Sequence, residues 1–132
     1  MQRDAGVRLK VRRWLPSLLW AGVILFVTSV PGSAVPHQLA PYDKVVHFSI
    51  YGLFALFLNR DFSQVTSRWR AAFIAIALAV GFGAADEWHQ AFIPGRSADP
   101  ADWRADSIGA AGGAILFALY SRVRTPKTAN IL

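Results

Sequence analysis

The chain has 132 residues, of which 54% are hydrophobic and 17% are charged. A soluble domain usually carries about 25% charged residues, and the apolar residues here form four blocks that leave too little polar surface to cover a soluble core. The net charge of +6 does not indicate a nucleic-acid partner, because the basic residues lie at the ends of the apolar blocks, as in membrane proteins. The absence of cysteine excludes disulfides, thiolate catalysis and cysteine metal sites.

Four apolar blocks follow one another along the chain, at about residues 14–30, 41–59, 69–92 and 100–120. A spanning helix needs roughly 20 residues, and the last three blocks reach that length only when polar residues at one end are included. We therefore predict an all-α fold, an integral membrane bundle of four transmembrane helices. The polar ends should lie at membrane depth and face protein or a wet cavity.

The first block has an alternative interpretation as a secretory signal peptide. It follows a basic segment, and Ser33-Ala34 resembles a weak cleavage site. Its apolar run is longer than the roughly 7–15 residues typical of such signals. We expect the block to stay in the protein as the first transmembrane helix, whereas cleavage would leave three.

The distribution of Lys and Arg predicts the orientation. Eleven of the 14 lie before the first block, between the second and third blocks, or after the fourth. The positive-inside rule makes these segments cytoplasmic. The predicted organisation is a basic cytoplasmic tail at 1–13, a membrane domain at 14–120 and a cytoplasmic C-terminal tail at 121–132.

The acidic residues and histidines show the opposite distribution. Six of the eight acidic residues and all three histidines fall on the predicted external side. Acidic residues contribute little to membrane topology, so insertion does not explain their clustering. This clustering is the main indication of function in the sequence.

The second block opens with the first candidate site residues. Asp43 and His47 share a helix face, and Tyr51 lies one step further along it. A carboxylate can orient an imidazole and raise its basicity, so we take Asp43 and His47 as candidate catalytic residues. Lys44 and Tyr51 are candidate ligand-binding residues. The alternatives are a helix N-cap or a partner for Lys44 in the case of Asp43, and a hydrogen-bonded core histidine in the case of His47.

The third block ends with two adjacent carboxylates, Asp86 and Glu87. Both are candidate catalytic residues. Gln90, three residues further on, is a candidate ligand-binding residue. Two carboxylates in a partly dry site repel each other unless a cation pairs with them. Arg96 is the expected cation and a ligand-binding candidate, with Lys44 second. The alternative is an ion-paired network that only orders the hairpin between the third and fourth helices.

The fourth block begins with three aspartates. Asp99 precedes Pro100, which is typical of a helix N-cap. Asp102 and Asp106 are four residues apart on one face, and Gly109 continues that face. Asp106 lies too deep to be a cap, so we expect it at an interface with another helix. Both are candidate ligand-binding residues.

Small residues predict close packing between the third and fourth helices. Gly109 and Gly113 form a GxxxG pair in the fourth block, and Ala77, Gly81 and Ala85 recur at intervals of four in the third. This spacing lets two helix backbones approach closely in lipid. Such packing would bring the polar ends of the two helices together.

Metal-ligand residue types are present without a metal-binding motif. They are Asp43, His47, Glu87, His89 and Asp102. No HExxH or comparable spacing occurs among them. We therefore predict no metal and no cofactor.

Two segments, YDKVVHFSIYGLF and DEWHQAFIPGRSADPADWRADSIGAAGG, resemble the VanZ-like family. The residues that carry the resemblance are Asp43, Lys44, His47, Phe48, Asp86, Glu87, Gln90, Pro94, Gly95, Arg96, Asp102, Asp106 and Gly109. The resemblance covers about residues 14–120, and Asp106 stands where Asn is commoner in the family. It implies a multi-pass protein of the bacterial inner membrane. The family's namesake accompanies glycopeptide-antibiotic resistance and lowers susceptibility to teicoplanin.

Three functions fit these residues, and we rank them in this order. The first is an external polar site that binds or modifies a lipid-linked envelope precursor or a glycopeptide-type ligand, with Arg96 and Lys44 holding an anionic group. The second is a non-catalytic membrane partner subunit whose polar cluster only orders the helices. The third is a hydrolase or transferase with His47 or Glu87 as general base.

Overall fold

Four long helices account for most of the chain. The computed structural model describes residues 2–124, and the side chains of residues 12–123. Over this range there are no strands, and the helices are α1 Gln2–Thr28, α2 Asp43–Phe62, α3 Arg68–Gln90 and α4 Pro100–Arg124. The prediction of an all-α fold with four helices is confirmed.

The helix α1 begins well before the first apolar block. It runs through most of the segment 1–13 that we predicted to be a basic tail. Five of the basic residues used to predict the orientation lie outside the described side chains, namely Arg3, Arg8, Lys10, Arg124 and Lys127. The C-terminal tail beyond residue 124 also lies outside the described part of the chain.

α2 is the central helix, and its most extensive contact is with α4. The backbone of α4 at Gly109 and Gly113 lies directly against the backbone of α2 at Phe48 and Gly52, and a Cβ on either α4 glycine would overlap with an α2 carbonyl group. The predicted contact between α3 and α4 is also present. The GxxxG pair, however, packs against α2 and not against α3.

The face of α3 that packs into the bundle differs from the predicted one. The stripe of Ala77, Gly81 and Ala85 is exposed, and a Cβ at Gly81 would meet nothing within 4 Å. The buried small residues are instead Ala71, Ala72, Ala75, Ala79 and Gly83. The prediction was wrong because alanine and glycine occur at intervals of four on more than one face of this helix.

Polar residues are buried and large apolar residues are exposed to an unusual degree. Phe26 and Phe73 are 75% and 74% exposed. The buried polar residues are Ser17, Thr28, His47, Asn59, Asp61, Asp86, Glu87, Gln90, Asp102 and Asp106. In the part of the chain that the structure describes, α3 is the one helix both long and apolar enough to cross a membrane.

Most of the buried polar residues lie at one end of the bundle, where α1 and α3 end and α2 and α4 begin; we call this the polar end. Two loops meet there. The loop between α1 and α2 contains the 3₁₀ helices Gly32–Ala34 and His37–Tyr42, and the Gly32 N–H donates to the carbonyl oxygen of Pro94 at 3.0 Å. A Cβ at Gly32 would overlap with the carbonyl group of Gly95. Gly95 has a φ of 73°, which favours glycine.

A smaller polar group lies at the opposite end. The Ser17 hydroxyl donates to Asp61, whose other carboxylate oxygen lies 3.8 Å from the Arg60 guanidinium. The Asn59 amide donates to the carbonyl oxygen of Ala114 at 2.7 Å. These bonds hold α1 and α4 to α2 at this end. They were not predicted from the sequence.

Candidate functional site

Polar side chains from all four helices meet at the polar end. We call this group the polar cluster; it consists of Thr28 from α1, Lys44, His47 and Tyr51 from α2, Asp86, Glu87 and Gln90 from α3, and Asp102 and Asp106 from α4. The structure thus brings together candidate residues that lie far apart in the sequence. Arg96, Asp99 and Asp43 lie at its margin.

The centre of the polar cluster is a histidine between two aspartates of another helix. The Nδ1 atom of His47 lies 2.9 Å from Oδ1 of Asp106, and its Nε2 atom lies 3.9 Å from Oδ2 of Asp102. All three residues are buried. Asp106, and not Asp43, is therefore the carboxylate that orients the imidazole. Asp43 shares the helix face as predicted, but it stands half-exposed in the first turn of α2.

Asp86 is satisfied by neutral donors from three helices. Its Oδ1 accepts a 2.7 Å hydrogen bond from the Thr28 hydroxyl, and its Oδ2 accepts from the Tyr51 hydroxyl at 3.1 Å and from the Gln90 amide at 3.4 Å. Because this carboxylate is 2% exposed, these bonds replace water. Thr28 was missed from the sequence. Its signal is a hydroxyl residue at the polar end of an otherwise apolar helix.

Glu87 also has neutral donors as its partners. The backbone N–H of Asp99 donates to Oε2 at 2.8 Å, and the Gln90 amide lies 3.4 Å from Oε1. Among the described side chains, no Lys or Arg forms an ion pair with Asp86 or Glu87. The cation that we expected beside these two carboxylates is therefore absent from this part of the structure.

Arg96, the expected cation, binds the end of α1 instead. Its Nε donates to the carbonyl oxygen of Val30 at 3.1 Å, and a terminal nitrogen lies 3.5 Å from the carbonyl oxygen of Val27. The last carbonyl groups of a helix lack partners within the helix, and they carry partial negative charge. Val27 lies in the last turn of α1 and Val30 lies two residues beyond it, so Arg96 holds the α3–α4 loop against this end of α1.

Lys44 joins the beginnings of α2 and α4. Its ammonium lies 2.7 Å from Oδ2 of Asp99, contacts Oδ1 of Asp102, and lies 3.8 Å from Asp43. The hydrogen bond from Lys44 holds the pKa of Asp99 below its usual range. Asp99 also accepts from the backbone N–H of Ala101 at 2.8 Å, which confirms the predicted N-cap of α4.

A pocket of about 190 Å³ lies between α1, the α1–α2 loop and α2. Its lining includes three residues with ionisable or charged side chains, namely Asp43, His47 and Arg96. The rest of the lining is nearly all apolar and consists of Val27, Thr28, Val30, Ala34, Val35, Pro36, Leu39, Ala40, Val46 and Ile50. The pocket therefore offers an apolar surface next to a histidine, a carboxylate and a guanidinium.

Among the described side chains, two groups have the spacing of metal ligands. They are Asp43, His47 and Asp102, and His47, Glu87 and Asp106; in each group the potential ligand atoms lie within 4.8 Å of one another. His47 belongs to both. His89, which the sequence also offered as a ligand type, belongs to neither group among the described residues.

Comparison with protein-family models identifies the family of the chain. A family model described as VanZ/LLP1 matches residues 13–121, a range that contains every candidate site residue. No curated protein and no solved structure matches the chain.

Proposed function

The chain belongs to the VanZ/LLP1 family, and we propose that it is a four-span protein of the bacterial plasma membrane that binds or modifies a lipid-linked envelope precursor or a glycopeptide-type ligand. The observation that carries the proposal is the pocket beside α1, whose largely apolar lining includes Asp43, His47 and Arg96. A pocket of about 190 Å³ suits the part of a ligand where a hydrocarbon chain joins a polar head group.

The dimensions and surface of the bundle support four membrane spans. α2, α3 and α4 contain 20, 23 and 25 residues, at or above the roughly 20 that a span needs. Trp69 and Trp88 stand exposed near the two ends of α3, about 28 Å apart at 1.5 Å per residue. This distance is close to the thickness of the hydrocarbon layer, and Trp is enriched at its two boundaries. Buried polar side chains and exposed apolar ones suit a lipid environment.

The charge distribution supports an external position for the polar end. Arg60, Arg68 and Arg70 lie at the opposite end of the helices, near the α2–α3 loop. The positive-inside rule places that end in the cytoplasm. An even number of spans then puts both termini of the membrane domain 14–120 on the cytoplasmic side.

The residues of the pocket suit a ligand with an anionic head group. A guanidinium has five N–H donors, and the contacts of Arg96 with α1 use only two of its nitrogens. The remaining donors can bind a phosphate or carboxylate. His47, held through Nδ1 by Asp106, can exchange a proton with or hydrogen-bond to a hydroxyl or amine of the ligand.

The proposal is tested by measuring binding to the purified full-length protein in lipid nanodiscs. The probes are a polyprenyl phosphate, a polyprenyl-diphosphate-linked saccharide-peptide and teicoplanin. We expect at least one probe to bind, and His47→Gln and Arg96→Gln each to weaken that binding at least tenfold. His37→Gln is the matched control, because His37 lies in the α1–α2 loop outside the pocket lining. The proposal is wrong if no probe binds, or if both pocket variants bind like the control.

A second candidate function is a non-catalytic partner subunit. It is favoured by the way Asp86 takes all its hydrogen bonds from neutral groups on α1, α2 and α3, which is what a residue that only orders the helices would do. In that case variants of the polar cluster would lower the amount of protein in the membrane in step with any phenotype. A catalytic function would instead show turnover of a lipid-linked probe with a bell-shaped pH profile.

A further inference from the structure

We propose that His47, Glu87 and Asp106 bind one divalent transition-metal ion of the Zn²⁺ or Mn²⁺ class inside the bundle. The three residues come from three different helices, α2, α3 and α4. They are 3%, 6% and 0% exposed, and their potential ligand atoms lie within 4.8 Å of one another. This site departs from our sequence prediction of no metal.

The balance of charge in the polar cluster favours a bound cation. Four carboxylates are buried there, namely those of Asp86, Glu87, Asp102 and Asp106. Lys44 pairs with Asp102 and with exposed carboxylates, and His47 carries no charge when it binds a metal. The carboxylates of Asp86, Glu87 and Asp106 then have no cation among the described side chains. Burying such charges is costly, and one divalent ion would neutralise two of them.

A free carboxylate oxygen marks the position independently of the charge balance. Oδ2 of Asp106 is buried and has no hydrogen-bond partner, although Oδ1 of the same group contacts His47. Buried polar atoms in native proteins normally have partners, and a bound ion can serve as the partner of an atom that has none within the protein. Gly83 leaves space beside this oxygen, since a Cβ there would lie 3.2 Å from it.

The donor atoms select the class of metal. One imidazole nitrogen with two carboxylate oxygens suits Zn²⁺ or Mn²⁺. Ca²⁺ and Mg²⁺ prefer oxygen ligands alone. Three protein ligands leave at least one coordination position for water or for an atom of a bound molecule.

The other group with suitable spacing is a poorer site. It consists of Asp43, His47 and Asp102, and the Lys44 ammonium already contacts Asp102 and lies 3.8 Å from Asp43. A divalent ion there would be repelled by this ammonium. No Lys or Arg with a described side chain forms an ion pair with Glu87 or Asp106, so the proposed site is free of that repulsion.

The test is a titration of the full-length protein, purified in detergent and stripped with a chelator, with Zn²⁺, Mn²⁺ and Mg²⁺ in a calorimeter. We expect one Zn²⁺ or Mn²⁺ per chain and at least tenfold weaker binding of Mg²⁺. His47→Gln, Glu87→Gln and Asp106→Asn should each weaken binding at least tenfold. Asp43→Asn tests the other group of possible ligands, and His37→Gln controls for surface histidines. Both variants should keep a metal affinity within about twofold of the unsubstituted protein, because the loss of a true ligand weakens the affinity far more.

Circular dichroism and gel filtration identify any variant that fails to fold. If a variant does not fold, the test rests on whether the unsubstituted protein binds one Zn²⁺ or Mn²⁺ per chain. The inference is overturned if that folded protein binds no stoichiometric Zn²⁺ or Mn²⁺, or if Mg²⁺ binds equally well. It is also overturned if Asp43→Asn abolishes binding while Glu87→Gln retains it. Because no lipid probe is used, this result is separate from the test of the proposed function.

Discussion

The hydroxyl of Thr28 donates a 2.7 Å hydrogen bond to Asp86 and so joins the last turn of α1 to the buried face of α3. α1 is otherwise less closely packed than the other three helices. At the polar end Arg96 also donates to the carbonyl oxygens of Val27 and Val30, and Ile24 packs into the core. The polar contacts of Thr28 and Arg96 therefore help to hold the wall of the pocket that α1 provides.

The first prediction concerns the hydrogen bond from Thr28 to Asp86. Thr28→Val keeps the size of the side chain and removes the donor, which leaves the buried Asp86 with one partner fewer. We expect the free energy of unfolding to fall by about 1–2 kcal/mol, measured by denaturant unfolding in detergent. Ser49→Ala is the control, because the Ser49 hydroxyl is exposed and bonds only to Val45 within its own helix. Equal stability of the two variants would contradict the assigned role of Thr28.

The second prediction concerns the contact between α2 and α4. Gly113→Ala places a methyl group against the carbonyl of Gly52, so the two helices must move apart. We expect a loss of about 1–3 kcal/mol in unfolding free energy, typical of overpacking. Gly112→Ala is the matched control, since its Cβ would meet only the ring of Phe48, at 3.9 Å. A larger loss in the control than in Gly113→Ala would refute this helix interface.

The third prediction concerns pH. The Lys44 hydrogen bond lowers the folded-state pKa of Asp99, so the pair stabilises the fold above the unfolded-state pKa of about 4 and this contribution is lost as the pH falls through the folded-state pKa. Asp99→Asn keeps the helix cap and removes the charge. We expect it to lower the melting temperature at neutral pH, by an amount that shrinks towards about pH 3.

The control for this pH series is Asp43→Asn, because Asp43 lies further from the same ammonium, at 3.8 Å. Its melting temperature should differ less from that of the unsubstituted protein. A difference for Asp99→Asn that stays constant down to low pH would show that the ion pair is not its cause.

The fourth prediction concerns topology. Single cysteines at Ser97 and Ser67 report on opposite ends of the bundle, and both positions are exposed. The chain has no cysteine of its own, so a membrane-impermeant thiol reagent sees only the introduced one. We expect Ser97→Cys to react in intact cells and Ser67→Cys to react only after permeabilisation. The reverse pattern would place the polar end in the cytoplasm.

The positions of α2, α3 and α4 could be predicted from the sequence, but the faces through which the helices pack could not. Spacing along one helix is fixed by its geometry, so the shared face of Asp43, His47 and Tyr51 was predictable. Which helix that face meets depends on the rotation of every helix about its axis. This is decided by packing over the whole bundle, and it placed Asp106 next to His47.

The same limit explains why the contacts of Arg96 were not predicted correctly. The sequence shows a cation close to Asp86 and Glu87, and opposite charge suggests a pair. It does not show that the last carbonyl groups of α1 lie within reach, since α1 is more than 60 residues away along the chain. The N-cap of Asp99 was predictable because its partner, Ala101, is two residues away.

The close contact between Gly32 and Gly95 links the lengths of two connections that are distant in the sequence. An extra residue in the α1–α2 loop would displace Gly32 from Pro94, and the displacement would carry Arg96 away from α1. The lengths of the two loops are therefore coupled, because a change in one displaces its contact with the other.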